Sequence, residues 1–169
     1  MRKRSRTEKT SVSLFLEGRA KLPFDGISGR RVKSSAGLIC LMAGITDAAI
    51  SIILTDDEGI RRINSEYRKK NRPTDVISFA YRENPFPAAR GAPEEVGDVY
   101  ISLERAAEQA VRFGATPAGE LMRLLVHGIL HLAGYDHERT KEEAEAMRAR
   151  ESEILSAVTR RLPSRRDRF

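Results

Sequence analysis

The stretch 127–137, HGILHLAGYDH, decides how the rest of the chain is read. His127 and His131 stand four residues apart. At about 3.6 residues per turn they differ by about 40° around a helix, one turn apart on one face. That spacing lets two imidazoles reach a single metal ion. Gly134 permits the sharp backbone reversal that ends a helix, after which His137 can fold back as a third ligand. Three neutral imidazoles leave the fourth position of a tetrahedral ion open, the arrangement of catalytic rather than structural zinc. A water bound there has its pKa lowered towards about 7. All three histidines of the chain fall in this stretch, on an otherwise apolar helix. Burying two imidazoles there without partners would be costly, so metal binding is expected over simple packing.

The same spacing occurs in the metzincin string H-E-x-x-H-x-x-G-x-x-H. The position of the glutamate that serves those proteases as general base is Gly128 here. Glycine cannot accept a proton, so the expectation is a metallo-hydrolase that is not a standard protease. Asp136 could orient a histidine as an outer hydrogen-bond acceptor or cap the turn; the sequence leaves both open.

Outward from this stretch, the chain reads as one α+β unit over 11–159 between basic tails at 1–10 and 160–169. Thr116-Pro117 places an N-cap and a first-turn proline before a helix over 118–133, apolar nearly all round and hence the buried central helix. Alternation over 11–17 and the β-branched run 49–54 predict strands, with further strands over 75–81 and 96–103. A buried helix is expected over 34–45. Thr55 followed by Glu58 has the pattern of a capping box, opening a helix that turns Ile60, Ile63 and Tyr67 inward and ends near Lys70. The prolines and glycine of 83–95 predict a mobile loop. A helix over 104–113 closes at Gly114. Thr140 with Glu143 caps a last helix that buries Ala144, Met147, Ile154, Leu155 and Val158.

With 169 residues the chain can bury a real core. Its 30 Lys and Arg against 24 Asp and Glu leave a net charge of +6, which steers a protein towards polyanions. One cysteine, Cys40, rules out an internal disulfide framework and a cysteine-based zinc finger. No apolar run approaches the roughly 20 residues of a membrane span. The apolar run 12–16 is too short for a signal-peptide core, so a cytoplasmic location is expected.

A second patch is Asn64 to Arg82, NSEYRKKNRPTDVISFAYR. Arg68, Lys69, Lys70 and Arg72 crowd a helix C-terminus, where cations are favoured in any case. Arg68 is the candidate for more than that, because guanidinium geometry suits bidentate phosphate contact. Thr74 and Ser78 add hydroxyls and Asp75 an acceptor. Beside a metal-bound water, this patch suggests a phosphodiester substrate.

HGILHLAGYDH, with NRPTDVISF at 71–79, YR at 67–68 and GDVYIS at 97–102, resembles the YbeY family over roughly 50–155. The family comprises bacterial, single-strand-specific, metal-dependent endoribonucleases. The resemblance implies a zincin-like α+β fold: a small mixed β-sheet packed with helices, the metal helix at its centre. It implies one zinc per chain on His127, His131 and His137, and a part for Arg68 in RNA binding or cleavage. It also implies 16S rRNA 3′-end maturation and ribosome quality control, on single-stranded regions of ribosomal RNA. The small ribosomal subunit and an assembly GTPase are the implied partners, with no DNA and no membrane.

The expected reaction is RNA phosphodiester cleavage at the metal, with Arg68 stabilising charge on the phosphoryl oxygens. A metal hydroxide or the RNA 2′-hydroxyl could be the nucleophile. Two rivals remain. A zincin-type peptidase would need Asp98 or Asp136 to reach the metal water. A non-catalytic, zinc-stabilised RNA-binding assembly factor would need a fourth protein ligand, and Cys40 is the only thiol.

Overall fold

In the computed structural model, residues 10–83 and 91–160 are described. Along them run β1 (Ser11–Leu16), α1 (Gly29–Met42), β2 (Ala48–Thr55), α2 (Asp57–Arg68) and β3 (Val76–Ala80). A 3-10 turn (Tyr81–Glu83), β4 (Glu94–Ser102), α3 (Leu103–Phe113), α4 (Pro117–Leu132) and α5 (Lys141–Thr159) follow. The basic tails expected at 1–10 and 160–169 lie outside the described residues except for Thr10 and Arg160, as do residues 84–90 of the expected loop.

The four strands form one sheet in the order β1-β2-β4-β3, with β1, β2 and β4 parallel and β3 antiparallel to β4 at one edge. Side chains alternate across a sheet, so Ile50, Ile52, Leu54, Val99 and Ile101 share the face that meets the helical core. α4 is the centre of that core. Thr116 accepts the Gly119 N–H through its side chain and Pro117 occupies the first turn, where its missing N–H costs nothing. Leu121, Met122, Leu124, Leu125, Ile129 and Leu130 are all fully buried. α4 packs against α1, α3, α5, β3 and β4, so its apolar circumference is covered as the sequence predicts. No helix among the described residues is long and apolar enough to cross a membrane.

The differences from the sequence reading are local. α1 starts at Gly29, five residues before the expected start, because Ser28 caps it by accepting the Arg31 N–H. α2 is capped by Asp56, not Thr55: the Asp56 carboxylate accepts the Gly59 N–H at 2.8 Å and the Arg19 N–H at 2.9 Å. Thr55 instead ends β2, buried. Gly59 makes room for it, since a Cβ there would sit 2.0 Å from Thr55 Oγ1. Tyr67, expected inward, is 61% exposed and sets its ring edge-on to Phe79 at 5.0 Å. Buried Asn64 takes the inward position and donates to Arg72 O at 2.8 Å, holding the turn after α2. In α5, Met147, Ile154 and Val158 are buried as expected, while Ala144 and Leu155 are half-buried.

Candidate metal centre and cleft

Arg123, His127 and His131 recur at four-residue intervals along α4 and face a cleft of about 580 Å³. The Nε2 atoms of His127 and His131 stand 3.0 Å apart. α4 ends in a tight reversal: Gly134, at φ +95°, donates to His131 O at 3.0 Å, and Tyr135 donates to Leu130 O at 3.1 Å. Gly134 suits a φ that L side chains rarely adopt. The reversal brings His137 back, its ring centroid 5.4 Å from that of His127 and 5.2 Å from that of His131. One ring nitrogen from each histidine lies within 4.8 Å of the others, and no Cys, Asp or Glu of the described residues joins the cluster. Cys40 is buried in the core, its thiol pushed up to about 12 by burial.

The set fits a divalent ion. Ligating histidines must be neutral, and burial, with the neighbouring His127 and His137, holds His131 below its ordinary value. Histidines that bind metal generally give their other ring nitrogen to an outer acceptor. That acceptor is Glu151 of α5, whose Oε1 lies 2.5 Å from His127 Nδ1. Burial pushes the Glu151 carboxyl up, but its hydrogen bond to His127 and the charges around it bring it below the usual range. Of the two roles left open for Asp136, the turn is the one formed: it accepts the Glu138 N–H at 2.9 Å and pairs with Arg139 at 3.1 Å. Glu151 stands on the inward face of α5, four residues after Met147 and three before Ile154; a carboxylate on that apolar stripe was the available signal.

Gly128 carries more than a missing base. A Cβ there would meet Val99 Cγ1 at 2.4 Å, with Ser78 Oγ at 3.2 Å and Val76 Cγ2 at 3.3 Å. α4 lies directly on β3 and β4 at this point, and Ser78 Oγ donates to Gly128 O at 3.0 Å. Neither carboxylate that a peptidase would require is available. Asp98 neighbours Val99 in β4 and so points to the opposite face, where it accepts the Tyr81 hydroxyl at 2.5 Å. Asp136 holds the turn.

Arg68 lines the cleft, exposed, with no hydrogen bond or ion pair among the described residues. Thr74, Asp75 and Ser78 line it as well, Asp75 accepting from Val76 N–H and from Gln109 at 3.0 Å. Lys69, Lys70 and Arg72 are not among the residues lining it. Lys69 closes α2 in the left-handed conformation. Three cleft arginines were missed: Arg82, Arg123 and Arg139. The place of Arg123, four residues before His127, was the available signal.

A model of the family described as Endoribonuclease YbeY matches residues 35–159. The chain belongs to the YbeY family. A Geobacter metallireducens protein named Endoribonuclease YbeY is 46% identical over 131 residues, covering 77% of this chain and 86% of that one. An Aquifex aeolicus protein of the same name is 39% identical over 132 residues, covering 78% and 85%. The solution structure of a Thermotoga maritima protein superposes with a TM-score of 0.56 at 25% identity, covering 87% of this chain and 88% of that one. The α+β architecture, an open four-stranded sheet beside a central histidine-bearing helix, is the zincin-like YbeY fold.

Proposed function

We propose that this YbeY chain is a single-strand-specific, metal-dependent endoribonuclease. His127, His131 and His137 hold one zinc ion, and Arg68 acts on the phosphate beside it. The observation that carries the reading is the convergence of three ring nitrogens in a cleft that also holds Arg68, which has no partner among the described residues. When bound, a divalent ion supplies Lewis-acid polarisation of a phosphate oxygen and an acidified water. The chain supplies the rest. Glu151 fixes the ring of His127 through Nδ1, leaving Nε2 towards the cleft. Arg68 offers a guanidinium fork to the phosphoryl oxygens, where negative charge grows during displacement. The absence of a carboxylate at 128 disfavours peptide hydrolysis, and the net charge of +6 favours a polyanionic substrate.

From the family resemblance we further assign the activity to ribosomal RNA in the cytoplasm, in 16S rRNA 3′-end maturation and ribosome quality control. The small subunit and an assembly GTPase are the partners. The catalytic unit is one domain over 11–159 with basic tails on either side.

Two variants test the site. Mass spectrometry should find about one zinc per wild-type chain and none in His131→Ala. Arg68→Ala should keep its zinc and lose about 100-fold in cleavage of a single-stranded RNA, the scale of a lost transition-state donor. An Arg68→Ala protein with full activity refutes that assignment. A zinc-loaded wild type that binds RNA without cutting it replaces the enzyme reading with the assembly-factor one.

A further inference from the structure

The four cleft arginines differ in their partners. Arg123 is held by the buried carboxylate of Glu120, through Nη2 at 2.6 Å and Nε at 3.0 Å. Arg139 pairs with Asp136 at 3.1 Å. Arg68 and Arg82 have neither a hydrogen bond nor an ion pair among the described residues. Both line the one cleft. The contact of Tyr67 with Phe79 sets the end of α2 beside the end of β3, and Arg82 follows Ala80 by two residues. The turn carrying Arg82 is anchored, because Tyr81 donates to Asp98 Oδ2 across the ladder that pairs Phe79 with Asp98.

Both guanidiniums line the cleft without a partner among the described residues, so an anion held there would gain from each of them. Their planar forks match phosphate oxygens. We infer that Arg82 is a second phosphate-binding residue, gripping the backbone of single-stranded RNA together with Arg68 on the β3 side of the cleft. The inference rests on the endoribonuclease reading. On this inference Arg82 governs substrate capture rather than the chemical step. Arg123 and Arg139 line the same cleft but are already paired with carboxylates.

The test is steady-state cleavage of a single-stranded oligoribonucleotide by the zinc-loaded full chain at several salt concentrations. Wild type is set beside Arg82→Ala, Arg82→Lys and Arg112→Ala, the last removing an exposed arginine outside the cleft. Loss of one charge-assisted contact should raise the KM of Arg82→Ala about tenfold. Its kcat should stay within about twofold, as expected for a group that binds ground and transition states alike. The slope of log(1/KM) against log salt should become shallower by about 0.7, the value for one phosphate contact on a single strand. Arg82→Lys should keep that slope while losing part of the affinity, and Arg112→Ala should match wild type. An Arg82→Ala protein with wild-type KM and slope overturns the inference, as does an equal rise in Arg112→Ala, which would mark a general charge effect. A wild type that cuts no single-stranded RNA removes the reading beneath it, and is told apart because the comparison then never begins.

Discussion

Gly128→Ala isolates the packing between the histidine-bearing helix α4 and the sheet. The new methyl would lie 2.4 Å from Val99 Cγ1, against an ordinary carbon contact of about 3.5–4.0 Å. Val99 cannot yield easily, being fully buried and β-branched. The helix on one side and the strand on the other fix both backbones, so relief requires α4 to lift off β4. Overpacking of this kind costs about 1–3 kcal/mol, and the severity of the contact places it at the upper end. Replacing a mid-helix glycine with alanine returns about 1 kcal/mol. The net expectation is a loss of about 2 kcal/mol, or about 4–8 °C in Tm for a chain of this size. Urea denaturation of Gly128→Ala, Val99→Ala and the double variant measures it. In the Val99→Ala background the clash is gone, so the same substitution at 128 should become neutral or stabilising. That reversal of sign is the signature of direct contact. A Gly128→Ala protein as stable as wild type, or an equal loss in both backgrounds, would refute the reasoning.

Glu151→Gln should keep the fold but lose the carboxylate that orients His127, lowering zinc affinity about 10–100-fold in competition with a chelator. Unchanged affinity would show that the 2.5 Å contact does not tune the ligand. Asp56→Ala removes the cap of α2 and should cost about 1–2 kcal/mol at neutral pH. The Gly59 N–H, and after it the Arg19 N–H, hold the Asp56 carboxyl below its ordinary value. The unfolded group titrates near about 3.9. The ionic part of its stabilisation is therefore complete above that pH and fades as pH falls through the lower folded value. The stability gap between wild type and Asp56→Ala should be flat from pH 7 to about 4 and narrow below. A gap that widens in acid would contradict this assignment.

The site was legible where one short segment carries both position and chemistry. The spacing of His127, His131 and His137, the buried character of α4 and the stop at Gly134 all follow from periodicity and local backbone rules. What the sequence hid depends on contacts distant along the chain. Glu151 reaches His127 from α5; its place on the apolar stripe of that helix marks it as inward-facing, but nothing along the chain says that His127 is what it meets. Asp56 displaced Thr55 as cap because two adjacent residues could both serve and only the packing of β2 against Gly59 decides between them. The early start of α1 was missed because its first turn, with Arg30 and Arg31, has no apolar stripe to read. Tyr67 meets the ring of Phe79 on the edge strand β3 and stays exposed, a matter of how α2 lies on the sheet rather than of helical period.

The three histidines proposed as ligands come from two parts of the molecule that are packed very differently. The backbone amides of His127 and His131 lie in a helix packed against three other helices and two strands, so their hydrogens should exchange slowly with solvent. His137 sits in an exposed turn between α4 and α5, whose amides exchange through local opening at far lower free energy. An entering group would therefore meet two imidazoles set in a packed helix, and a third on an exposed turn that can adjust around it without disturbing the core.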